Sequence, residues 1–213
     1  PSCIRHGGSA FIWAAEPVPA ESEIKGSNVA EFPDHPFWDF SLDVYMSDGV
    51  GAACLELQGA HELDVNILLF CMWLGASGRG ALTAADMETV TAAVQAWHHD
   101  VVRPLRAVRT RMKGGIGSAP PDLAESMRQR IQKTEIDCEH TEQLMLAAAI
   151  DPAVDDAKAA EMRLADAVSS LAGYFRSFGG DVSAQDRGNL AVMLGVAFRE
   201  QSAESIATAC NSM

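Results

Sequence analysis

From residue 34 onward the apolar positions recur three and four residues apart, and strand-like alternation of useful length is absent, so the chain predicts helices. Asp34 is placed as an N-cap with Pro36 in the first turn, and Phe37, Trp38, Phe40, Leu42, Val44 and Tyr45 follow at helical spacing towards Asp48-Gly49. A short second helix turns Val50, Cys54 and Leu57 inward and is expected to stop at Gly59. Asp64 caps a third, whose Val65, Leu68, Leu69, Met72 and Trp73 precede a stop at Gly75. It is apolar nearly all round, which predicts the central, most buried helix of the fold.

Thr83 and Asp86 form a capping-box pattern that opens a long helix. Its stripe runs through Met87, Val90, Val94, Trp97, Val101, Leu105, Val108 and Met112, ending at Lys113-Gly114-Gly115. Pro104 lies inside that stripe, so a kink is expected about one turn earlier, with the carbonyl of Asp100 released. Residues 114–121 form a loop. A fifth helix starts near Asp122, with Leu123, Met127, Ile131, Cys138 and Met145 inward, and stops before Asp151-Pro152. Two amphipathic segments follow, 155–178 and 183–209, the second opened by the capping-box pair Ser183 and Asp186. The fold class is all-α: an irregular helical bundle over 34–150 with a C-terminal helical hairpin over 151–213, preceded by a flexible leader over 1–33.

Composition narrows the function. With 16 basic against 29 acidic residues the formal charge is −13, which repels phosphate backbones and anionic membranes, so neither nucleic acid nor membrane is expected as a partner. The longest apolar run, Ile67 to Leu74, is far shorter than the roughly 20 residues of a membrane span. Near the start, Phe11-Ile12-Trp13-Ala14-Ala15 is too short for a secretion signal. Five cysteines, at 3, 54, 71, 138 and 210, form no close pair, and three of them sit in apolar helical patterns. They read as reduced thiols of a cytoplasmic protein.

Familiar catalytic motifs are incomplete. His61-Glu62-Leu63-Asp64-Val65 begins like a zinc-protease helix, but Val65 stands where the second histidine is needed. The glycine-rich stretches Gly75–Gly80 and Gly114–Ser118 follow no strand and lack the Gly-Lys-Ser/Thr ending of a phosphate loop, so they read as turns. Cys54, Cys71 and Cys138 lie on apolar faces and read as small hydrophobes. Trp38, Trp73 and Trp97 serve either as core or as the floor of a pocket, their indole N–H groups seeking acceptors among Gln58, Asp39, Asp64 and Asn66.

The loop at 114–121 makes the fourth and fifth helices an antiparallel hairpin, bringing His98, His99 and Asp100 level with Glu135 to Glu139. Glu135, Glu139 and Glu142 share one helix face. Carboxylates and imidazoles on facing helices suit a divalent metal. Salt bridges from Arg103 and Arg106 to Glu135 and Glu139 satisfy the same carboxylates without one. The basic run Arg103, Arg106, Arg109, Arg111 and Lys113 also suits an anionic ligand.

Three segments, Phe37-Trp38-Asp39-Phe40-Ser41-Leu42, Cys54-Leu55-Glu56-Leu57-Gln58 and the run from Asp64 to Gly75, carry a resemblance that continues through Trp97, Val102-Arg103-Pro104-Leu105-Arg106, Arg109, Glu135 and Glu139. Over residues 36–149 the chain resembles an uncharacterised family of small bacterial helical proteins, filed as a domain of unknown function. The resemblance implies a helical fold and supplies no reaction.

Two functions follow. One is a helical binding or interaction module for a protein or small-molecule partner, with a pocket floored by Trp38, Trp73 and Trp97 and walled by Gln58, Asp64, Asn66 and Arg103, and with Arg106, Glu135 and Glu139 as further ligand-binding candidates; it requires no cofactor. The other is a metal-dependent enzyme using His98, His99, Glu135 and Glu139. The wide apolar stripe of the tail makes a homodimer an expected assembly.

Overall fold

Every residue from Val65 to Gly75 is buried, and the other helices are arranged around that run. The structure, a computed structural model, describes residues 32–213. Their helices are α1 (Pro36–Tyr45), α2 (Val50–His61), α3 (Val65–Ala76), α4 (Ala84–Trp97), a π-helical turn (His98–Val102), α5 (Arg103–Met112), α6 (Pro121–Ala149), α7 (Ala160–Ser177), α8 (Ala184–Ala197) and α9 (Ala203–Asn211). No strand occurs among the described residues, so the fold is all-α. All but its last two residues, Phe32 and Pro33, the expected leader lies outside the described residues.

One hydrophobic cluster draws on helices from both sides of residue 150: Phe37, Leu57, Leu68, Phe70 and Val90 pack with Leu146, Leu171, Phe175, Leu194 and Ile206. Each fully buried leucine of this kind contributes about 1.5–3 kcal/mol. α7 lies along α3, and α8 lies against α2. The close α3–α7 crossing explains Gly75, which continues the helix that it was expected to end. A Cβ there would stand 2.6 Å from the Arg163 carbonyl and 2.7 Å from the Ala167 Cβ, so only glycine lets the two helices touch. α3 ends at Ala76, and the turn beyond it passes through Gly78, whose φ of 76° suits a residue without a side chain.

Other boundaries also moved. His35, not Asp34, caps α1, its Nδ1 accepting from the Phe37 N–H at 3.1 Å. α2 passes through Gly59 and ends at His61, capped by Glu62, the one non-glycine residue with positive φ among those described. The capping boxes at Thr83/Asp86 and Ser183/Asp186 are both present. The tail is three helices rather than a two-helix hairpin: the chain breaks after Ala197, and Ser202 caps α9 through its hydroxyl.

The decisive departure from periodicity comes before Pro104. Proline has no N–H for the Asp100 carbonyl, and the helix responds with a π turn in which the Arg103 N–H bonds to the His98 carbonyl five residues back. This extra residue shifts the inward face by one position. The buried stripe runs Met87, Val90, Val94 as expected, then continues through Val102, Arg106 and Arg109, while Val108 becomes 49% exposed. The seam between α5 and α6 is therefore charged. Leu123 and Met127, expected inward, are exposed on α6.

Candidate functional site

Where α3, the π turn and α6 meet, three titratable side chains converge. Asp64 is held by its own capping role: Oδ1 accepts the Asn66 N–H at 2.8 Å, and its backbone N–H donates to the Tyr174 hydroxyl at 2.9 Å. That leaves Oδ2 facing His98 Nδ1 at 3.2 Å, buried and with no hydrogen-bond partner among the described residues. The π turn points His98 inward while sending His99 and Asp100 to the surface, where they bond each other at 2.8 Å. From α6, Glu142 Oε1 approaches the same His98 Nδ1 at 3.1 Å. Glu142 is wholly buried, and its second oxygen accepts from Asn66 Nδ2 at 2.6 Å. Asn66 Oδ1 in turn accepts from Gln143 Nε2 at 2.9 Å.

Two carboxyl groups thus compete for one imidazole nitrogen, which carries at most one proton. Burial, reinforced by the negative charge of Asp64, pushes the Glu142 carboxyl up to about 8, against which the His98 and Asn66 hydrogen bonds act only in part. Burial alone would depress His98, but the Asp64 charge and the Glu142 bond outweigh it and raise the imidazole. With its carboxyl raised to about 8, Glu142 holds its proton at neutral pH. The Tyr174 hydroxyl is raised as well, by burial and then by Asp64, and stays protonated.

The same atoms fit a cation. One ligand atom from each of Asp64, His98 and Glu142 lies within 4.8 Å of the others. Ligands about 2.0–2.1 Å from a tetrahedral ion stand roughly 3.3 Å apart, close to the two spacings around His98 Nδ1. The Asn66 bond to the second Glu142 oxygen is the outer support that metal-bound carboxylates need.

The residues singled out from the sequence separate into different places. His98, His99, Glu135 and Glu139 are not gathered: His98 joins Asp64 and Glu142, His99 is exposed, and the two glutamates belong to the α5–α6 seam. There Glu135 accepts from Arg106 Nε at 3.0 Å and from Arg109 Nη2 at 3.2 Å, with a further bond from Arg109 Nε, and Glu139 accepts from Arg106. Arg109 replaces Arg103 in this network because the π turn rotates Arg103 to the surface, where it stands 3.7 Å from Glu62. The three indoles meet different neighbours. Trp73 packs with Phe37 and Phe70 under Arg79, Trp38 stacks on His140 at 3.9 Å, and Trp97 donates to the Cys138 carbonyl at 3.0 Å. Gln58 sits at the end of α2, where its carbonyl accepts the Glu62 N–H.

Glu142 was legible as part of an acidic helix face, but its pairing with His98 required the π turn. Gln143 and Tyr174 carried no sequence signal: one is a polar residue in an amphipathic helix, the other a tyrosine in the tail. The thiols of Cys54 and Cys71 are buried, with pKa values pushed well up by burial, which suits packing rather than nucleophilic chemistry. The described cysteines are free, and Cys3 lies outside the described residues. No helix among the described residues is long and apolar enough to cross a membrane.

No curated protein and no solved structure matches the chain. A family model does, over residues 36–146, just over half of the chain and a span that includes Asp64, Asn66, His98, Glu142 and Gln143. On that match the chain belongs to the family described as a protein of unknown function, DUF2390.

Proposed function

We propose that this protein is a helical binding module whose ligand is a divalent transition metal held by Asp64, His98 and Glu142. The observation that carries the reading is the pair of buried carboxyl oxygens, Asp64 Oδ2 and Glu142 Oε1, both directed at one imidazole nitrogen, with Asp64 Oδ2 left without a hydrogen bond among the described residues. A buried acceptor in that state asks for a positive partner. One imidazole with two carboxylates favours borderline ions such as Zn2+ or Fe2+ over ions that take oxygen ligands alone. The buried free thiols suit a reducing compartment, and the cytoplasm is the location that goes with this reading.

Elemental analysis of the purified protein after Zn2+ loading and desalting tests it. About one ion per chain is expected, lost in both His98→Ala and Glu142→Gln. Absence of a stoichiometric ion, together with a melting temperature that neither Zn2+ nor chelator moves, would leave the cluster as a proton-holding polar network and reject the metal.

A further inference from the structure

The second feature that the fold leaves unexplained is the α5–α6 hairpin. Its seam is built from Arg106, Arg109, Gln132 and Glu135, all buried, while Val108, Ile116, Leu123 and Met127 are between 40% and 65% exposed. Amphipathic hairpins normally bury the second kind of residue and expose the first. The π turn inverted this one, and it did so in the most basic part of the chain. Residues 103–133 hold eight of the sixteen lysines and arginines against two acids, a net +6, which leaves −19 on the rest. Arg111, Lys113 and Arg130 are exposed beside the apolar residues.

The complement lies on the same molecule. Residues 32–102 carry ten acids and one arginine. On their surface, at the end of α1, Met46 is 54% exposed between exposed Asp43 and Asp48, with Asp39 one turn earlier on the helix. Val192 of α8, 42% exposed, sits beside the same turn, 3.5 Å from where a Cβ on Gly49 would stand. Apart from Arg199, which pairs with Asp43 at 2.7 Å, this patch is apolar at its centre and acidic at its edge, as the hairpin is apolar at its centre and basic at its edge.

We infer that the α5–α6 hairpin docks on the α1 patch of a second copy of this chain, reciprocally, in a two-fold pair. Charge complementarity selects that occupant: hairpin against hairpin would oppose like charges, whereas hairpin against patch joins Arg111, Lys113 and Arg130 to Asp39 and Asp48 across Leu123, Met127 and Met46. A reciprocal arrangement closes the assembly at two copies. None of these side chains belongs to the Asp64–His98–Glu142 centre, so the inference stands apart from the metal reading.

Light scattering of the full chain during gel filtration tests it. At about 100 μM and low salt the wild type is expected at twice the 22.7 kDa chain mass, a concentration that populates even a micromolar dimer. The hairpin double variant Leu123→Glu/Met127→Glu and the patch double variant Asp39→Arg/Asp48→Arg should each run as monomers. All four sites are exposed, and unchanged helical circular dichroism checks that both variants fold. Mixing the two should restore dimers, because each mixed pair retains one hairpin and one patch intact. A monomeric wild type overturns the inference, as does a dimer that survives either double variant. Loss of the dimer in the hairpin variant alone would indicate hairpin-to-hairpin pairing and reject the assignment. Co-sedimentation of a monomeric wild type with vesicles containing phosphatidylglycerol would transfer the hairpin to a lipid surface and reject it too.

Discussion

His98 Nδ1 lies 3.1 Å from Glu142 Oε1 across 44 positions of sequence, and that contact joins two groups whose pKa values the fold raises. Glu142 is raised in the fold to about 8, so between its ordinary range and that value the folded state holds a proton that the unfolded chain has released. Stability of the metal-free protein therefore falls as pH rises through this window, and the raised His98 adds to the fall in the same direction above its ordinary range. Chemical denaturation at pH 6 and pH 8.5 is expected to differ by a few kcal/mol, on the order of 1.4 kcal/mol for each tenfold fall in proton concentration across the window. Glu142→Gln, which resembles the protonated acid, should flatten most of the difference. Equal stability at the two pH values in the wild type would contradict the raised Glu142 carboxyl.

Metal binding should run against this proton. A divalent ion needs Glu142 ionised, so near neutral pH at least the Glu142 proton leaves for each ion bound. Isothermal titration with Zn2+ in buffers of different ionisation enthalpy reads that number. Release of none would show that the ion binds elsewhere.

Arg109 is wholly buried and its guanidinium is committed to Glu135. Glu135→Gln removes the carboxylate charge that Arg106 and Arg109 share and should cost about 3–5 kcal/mol, the range for breaking a buried pair. Urea midpoints with an unchanged slope measure it. The cost should be unaffected by chelator, since Glu135 stands outside the proposed metal centre.

Tyr174 ties the tail to the site by accepting the Asp64 N–H. Tyr174→Phe should cost about 1–3 kcal/mol for the amide left without an acceptor, and by loosening Asp64 it should also weaken Zn2+ binding. A variant with reduced stability and unaltered Zn2+ affinity would show that the hydroxyl supports the fold alone.

Gly75→Ala places a methyl group against the Arg163 carbonyl and Ala167, both part of the α3–α7 contact. Overpacking of about 1–3 kcal/mol is expected, read as a lower melting temperature. Gly59→Ala, with nothing within 4 Å of the new Cβ and a helical setting, should stabilise slightly.

Local chemistry was enough for much of this. Thr83 with Asp86, Ser183 with Asp186 and Asp64 ahead of Asn66 announce helix starts because the capping groups are two or three residues apart, and α3 announces its burial because no face of it is polar save Asn66. Pro104 likewise predicts that the helix must deviate, since a missing N–H is a property of the residue itself. What the residue does not contain is the manner of deviation. A kink would have kept the apolar stripe through Val101, Leu105 and Val108 inward; the π turn instead admits one extra residue, and from there Arg106 and Arg109 face α6 while Val108 faces out. That choice is made by packing, because α6 offers Glu135 and Glu139 at the height where the arginines arrive and Glu142 where His98 does. Gly75 follows the same division: the sequence marks a residue without a side chain, and only the crossing of α7 shows that the missing atom makes room for another helix.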